Sequence, residues 1–143
     1  MPESADRLRQ EHSTGRNDAD WTAALRKQLA PAVEALRQEA ERLVGNAKTA
    51  SVDYVADADK VSAACGRLAA LIAEVQATAP TANQGKLRHD LRTPVNAIKG
   101  YGEILMEDAD HAGHSELAAE FRQFLKGADA ILAGIDALAI PHG

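Results

Sequence analysis

From Leu117 to Leu138 the chain sets an apolar residue at every fourth and third position in turn: Leu117, Phe121, Phe124, Ala128, Ile131, Ile135 and Leu138. A strand presents alternate residues to one face, whereas a helix gathers positions three and four apart onto one stripe. This spacing therefore predicts a helix packed lengthwise against a partner helix. Three further segments carry the same spacing. The first holds Leu25, Leu29, Ala32, Leu36 and Leu43, the second Val61, Cys65, Leu68, Ile72 and Val75, and the third Leu87, Leu91, Val95, Ile98 and Leu105. The stretches between them, "VGNAKTAS" (44 to 51), "TAPTANQG" (78 to 85) and "DADHAGHS" (108 to 115), collect Gly, Pro, Asn, Ser and Thr and are short enough to turn the chain back on itself. Four helices of roughly 24 to 27 residues, each about 36 to 40 Å long, follow from these limits. The expected fold is all-α, an antiparallel four-helix bundle built from two helical hairpins. The hairpins pair either within one chain, as a pseudo-dimer, or between two copies by homodimerisation.

Composition supports one such unit and excludes several functions. With 143 residues, 45% of them apolar, the chain has material for one bundle. Aromatics are 3%, which leaves Leu, Ile, Val and Ala to build the core. A formal charge of -5 and the lack of a Lys/Arg-rich run argue against nucleic acid as a partner. No apolar run approaches the roughly 20 residues of a membrane span, and "MPESADRLRQEH" lacks the apolar core of a signal peptide, so the expected location is cytoplasmic without membrane insertion. The single Cys65 has no partner for an internal disulfide and reads as a small core residue.

Residues 1–19 are polar and are expected to form a mobile tail, with Asp18 or Asp20 capping a helix that starts near Trp21. Beyond the tail the chain repeats itself. Shifted by 62 residues, "LRKQLAPAVEALRQEAERLVGNA" (25 to 47) falls on "LRHDLRTPVNAIKGYGEILMEDA" (87 to 109) with eight of 23 positions identical and prolines Pro31 and Pro94 one place apart. The helices that follow align at a shift of 60, pairing Val61 with Phe121, Cys65 with Leu125 and Leu68 with Ala128. The reading is a duplicated helical hairpin.

Within the second copy, "RHDLRTPVNAIKGY" (88 to 101) joins a histidine, an aspartate, a threonine and a helix-interrupting proline. A neutral imidazole titrates near neutrality and offers a nucleophilic ring nitrogen, which makes His89 the candidate phosphoacceptor. Asp90 is suited to hold the proton on the other ring nitrogen and to offset the positive charge that develops. Thr93 lies one turn beyond His89 on the same face. Pro94 removes an amide and crowds the carbonyl of Asp90, which predicts a helix bend one turn past the histidine. His111 and His114 sit in a glycine-containing turn without a second ligand set, so they read as solvated and no metal is expected.

This segment resembles the H-box of bacterial sensor histidine kinases, the His-Asp/Glu-x-x-Thr-Pro motif on the first helix of their dimerisation and histidine-phosphotransfer domain. The resemblance is specific over about residues 86 to 108 and looser to about 140. It implies a helical hairpin that takes a phosphoryl group from an ATP-binding catalytic domain, in cis or in trans, and passes it to an aspartate of a response-regulator receiver domain. ATP then sits on a separate domain and Mg²⁺ on the receiver, with no cofactor held by this chain. His89, Asp90 and Thr93 take the chemical roles, with Thr93 positioning a water for dephosphorylation. Arg88 and Arg92 become candidate phosphate contacts, and Asn96 and Gly100 candidate partner contacts. Nothing after residue 110 resembles an ATP-binding domain, so an autonomous kinase is not expected. The first copy has Lys27 and Gln28 where the second has His89 and Asp90. The expected organisation is thus a tail (1–19), a degenerate hairpin lacking the phosphoacceptor (20–79), a phosphoacceptor hairpin (80–140) and a linker or chain end (141–143). The competing function is a non-catalytic helical dimerisation or interaction module that regulates an attached or partner domain.

Overall fold

The computed structural model describes the backbone of residues 2–77 and 84–138 and the side chains of 23–75 and 85–137. Four helices account for nearly all of it: α1 (Pro2–Ala50), α2 (Val55–Ala77), α3 (Gln84–His111) and α4 (Ser115–Leu138), with a single 3₁₀ turn at Val52–Tyr54 between the first two. Helix α1 packs against α2 and α4, and α3 packs against the same two, so α1 and α3 lie diagonally across a four-helix bundle formed within one chain.

The apolar spacing translates directly into packing. Six members of the α4 stripe, from Leu117 to Ile135, are buried, as are all five of α2. In α1 and α3 every member of the stripe is buried except Ala32 and Leu87, which pack against the core's edge. One continuous core runs through both hairpins. Burial also follows the repeat. Leu29, Val33, Leu36, Ala40, Leu43 and Ala47 of α1 are buried, and so are Leu91, Val95, Ile98, Gly102, Leu105 and Ala109, the residues 62 places on. Helices α1 and α3 thus bury the same register of positions.

Three boundaries differ from the sequence expectation. Helix α1 begins at Pro2, so there is no helix end near Trp21 for Asp18 or Asp20 to cap, and residues 2–19 continue the same helix. Once a helix is nucleated, each further residue adds a hydrogen bond at low entropic cost, and this stretch contains no internal proline. The break placed at 44 to 51 shrinks to its end: α1 runs through Gly45 to Ala50 because Leu43, Val44 and Ala47 are buried, which outweighs the roughly 1 kcal/mol cost of a helical glycine. Ser51 then adopts an extended conformation and its hydroxyl accepts from the amide of Asp53 at 3.1 Å, opening the 3₁₀ turn. The third break narrows to residues 112–114. Gly113 takes φ +83°, its amide donates to Asp110 and that of His114 to Ala109, which is the Schellman closure of α3. The second break, at 78–83, and the linker at 141–143 lie outside the described residues.

Cys65 is buried on the α2 seam, and this burial pushes its thiol up to about 12. Since the thiolate is the reactive form, alkylation of native Cys65 by iodoacetamide at neutral pH should be more than about 10³-fold slower than that of a free cysteine. It should recover fully in guanidinium, which mass spectrometry of the adduct would follow.

Candidate functional site

Helix α3 is oriented by Leu91, Pro94, Val95 and Ile98, all fully buried. At 3.6 residues per turn these occupy one side, and His89, Thr93, Asn96 and Gly100 fall roughly opposite, where all four are exposed. The imidazole of His89 therefore stands on the outer surface of the bundle, five residues into α3. Asp90 and Arg92 are half-buried on the two flanks of this stripe. Arg92 faces α4, whereas Asp90 shares the flank of Tyr101, whose ring receives the Lys60 ammonium of α2 at 5.0 Å. Arg88 is half-buried and Asn96 exposed.

Two expected contacts are engaged elsewhere. The Thr93 hydroxyl donates to the carbonyl of His89 at 3.2 Å, the usual back-bond of a threonine one turn along a helix. To meet a water or a phosphoryl oxygen it must rotate away from the backbone. Arg92 is committed to Asp136 of α4 through both its Nε, at 2.7 Å, and a terminal nitrogen. That pair ties the H-box turn of α3 to the far end of α4, beside Lys99 and Asp129 at 2.8 Å. The bond to Asp129 also raises the Lys99 pKa. Pro94 is packed in the core, and α3 continues through it to His111. Lacking an amide, Pro94 gives the Asp90 carbonyl no helical donor.

Spacing along one helix does not reveal the Arg92 to Asp136 bond, but hairpin geometry would have. Residues equidistant from the turn face each other in an antiparallel pair: Arg92 and Asp136 each lie 22 places from His114, and Lys99 and Asp129 each 15. An Asp136→Asn exchange is expected to leave folding within about 0.5 kcal/mol, because the pair is partly exposed. It should release Arg92 and strengthen binding of an anionic partner at this end, which titration calorimetry would register.

His114 departs from the solvated reading. Its Nδ1 lies 2.8 Å from the hydroxyl of buried Tyr54, and the two rings meet edge to face at 5.7 Å. Tyr54 and His114 occupy equivalent positions in the repeat, so this contact joins the turn of one hairpin to that of the other. His111 Nδ1 lies 2.8 Å from the Glu107 carbonyl. Among the described residues no group of three or more His, Cys, Asp or Glu is arranged to hold a metal ion. Among them too, no helix is long and apolar enough to cross a membrane.

An apolar concavity of about 530 Å³ lies between α1 and α4 and is lined by Leu29, Ala32, Leu36, Phe124, Gly127 and Gly134 among others. It does not include His89. A convex site suits chemistry in which the second reactant arrives on a folded partner and needs an exposed nucleophile rather than an enclosing pocket.

Residues 85–133 match the family model of the His Kinase A (phospho-acceptor) domain. No curated protein and no solved structure matches the chain. The matched segment covers α3 from its second residue and most of α4, and it contains the whole outward stripe from His89 to Gly100. The α3–α4 hairpin is thus the part of the bundle that is similar to the His Kinase A (phospho-acceptor) domain, and the other half, α1 and α2, lies outside the match.

Proposed function

We propose that the chain is a histidine-phosphotransfer module of a two-component or phosphorelay system, with His89 as its phosphoacceptor. The observation that carries this reading is the exposed imidazole of His89, directed away from the core within the matched hairpin and followed immediately by Asp90. A lone pair on one ring nitrogen attacks the γ-phosphorus of ATP held with its metal on a separate catalytic domain. The N–P bond forms as the bond to the ADP oxygen breaks, and ADP leaves. Asp90 steadies the proton on the other ring nitrogen and the cationic ring that develops. In the second step a receiver-domain carboxylate attacks phosphorus, the N–P bond breaks and His89 is restored to the neutral imidazole. Thr93, once rotated off the His89 carbonyl, is placed to orient a water for hydrolysis. Asn96 and Gly100 continue the same exposed face and offer uncharged contacts to the partner.

The test is incubation of the chain with an active histidine-kinase catalytic domain and labelled ATP, or with a phosphorylated receiver. Acid-labile, base-stable label on the chain supports the reading. Stoichiometric receiver binding with no label under either donor would leave a helical interaction module instead.

A further inference from the structure

We infer that the first hairpin fills, within the same chain, the place that a second copy of the α3–α4 hairpin would take, so that the protein acts as a monomer with one phosphoacceptor and one partner-docking face. The phosphoryl part rests on the reading of His89 above, and the assembly part stands apart from it.

Three observations carry the inference. The first is the shared core: α1 buries the positions that α3 buries 62 places on, and α1 and α2 together cover the open flanks of α3 and α4. Six residues separate Ala77 from Gln84, so the first hairpin is present at an effective concentration on the order of millimolar. A free copy at about 10 µM competes poorly with it.

The second is that the two seams between hairpins are not alike. On the α1–α4 seam Arg42 reaches Glu120 at 2.9 Å, while on the α2–α3 seam Lys60 stands over the Tyr101 ring. Lys60 and Glu120 are equivalent in the repeat. Two first hairpins paired together would set Lys60 against Arg42, and two second hairpins would set the Glu120 carboxylate against the electron-rich face of Tyr101. In a first-hairpin pair Glu39, the equivalent of Tyr101, would have to serve both cations, and in a second-hairpin pair Glu120 would have no cation, whereas the mixed pairing gives Lys60 and Glu120 each a favourable partner. Close packing adds to the asymmetry. A Cβ on Gly134 would come within 3.0 Å of Leu29, and one on Gly127 within 3.3 Å of Leu36, whereas the equivalent residues of α2 are Glu74 and Arg67.

The third is the outer face of α1. The positions matching His89, Thr93, Asn96 and Gly100 are Lys27, Pro31, Glu34 and Gln38. Glu34 there binds the Arg37 guanidinium at 2.6 and 3.0 Å and Gln38 at 3.3 Å. A nucleophile and a neutral contact surface have been exchanged for a self-paired charged ladder. A partner that fits the α3 face meets no second copy of it on α1.

Multi-angle light scattering of the intact chain, at concentrations from about 1 to 100 µM, tests the assembly, with phosphoryl stoichiometry measured on the same sample. A mass near 15.2 kDa throughout, and at most one phosphoryl group per 15.2 kDa, is expected. Tagged wild-type chain should also fail to retain an untagged His89→Gln chain on an affinity resin. A doubled mass, or retention of the untagged chain, overturns the inference even where His89 is labelled. A single-chain mass without label instead leaves the assembly standing and removes the phosphotransfer reading.

Discussion

A His89→Gln chain takes up no phosphoryl group from a kinase catalytic domain or a phosphorylated receiver, yet it melts within a degree or two of the wild type. Both halves come from one placement. The ring is exposed on the side of α3 opposite Leu91, Val95 and Ile98, so its loss removes no core contact, and surface exchanges of this kind stay within about 0.5 kcal/mol. Glutamine is also a good helix former, so α3 is not weakened. The chemistry has no such reserve at the equivalent place in α1, where Lys27 stands instead of a histidine. His111 and His114 lie at the opposite end of the hairpin, the latter against Tyr54. Asp90→Asn should keep a hydrogen-bonding side chain but lose its charge, and slow uptake by about 10² to 10⁴. Thr93→Ala should leave uptake intact and slow loss of the label. Equal labelling of wild type and His89→Gln would end the assignment.

The sequence made the inner surfaces legible because they depend only on periodicity. The positions that three-four spacing marks in α2, and in α4 from Leu117 to Ile135, are buried, and the repeat marks the matching surfaces of α1 and α3. What it obscured depends on geometry between helices. Pro31 and Pro94 looked like a shared device, but they lie one residue apart in the repeat, which turns a helical position by roughly 100°. Pro94 is consequently packed in the core and Pro31 is exposed on α1. Arg92 resembled a free phosphate contact because Asp136 is distant in sequence, and His114 resembled a loop residue because Tyr54 comes from the other hairpin. Gly45, Asn46, Thr49 and Ser51 suggest a turn where buried Val44 and Ala47 carry the helix onward. For the H-box, residue type and order gave the candidate nucleophile, while the rotation of α3 decided which of its neighbours share the outer face.

The largest loss of stability is expected at Phe121→Ala. Among the described residues Phe121 is the largest fully buried side chain, at 0% exposure, and it meets Phe124 edge to face at 6.2 Å in a core built mainly of aliphatic residues. Its truncation removes about 3 to 5 kcal/mol, since the rigid helices around it cannot close the void. A domain of this kind has about 5 to 15 kcal/mol in all, so the urea midpoint should fall by roughly 1 to 5 M with the slope unchanged. The equivalent Val61 is smaller, and Val61→Ala should cost less than half as much. Because Phe121 belongs to the core that α1 and α2 share, amide exchange should accelerate in the first hairpin as much as in the second. Exchange confined to α3 and α4 would mean that the hairpins fold independently, and that the first is an attached layer rather than half of one cooperative bundle.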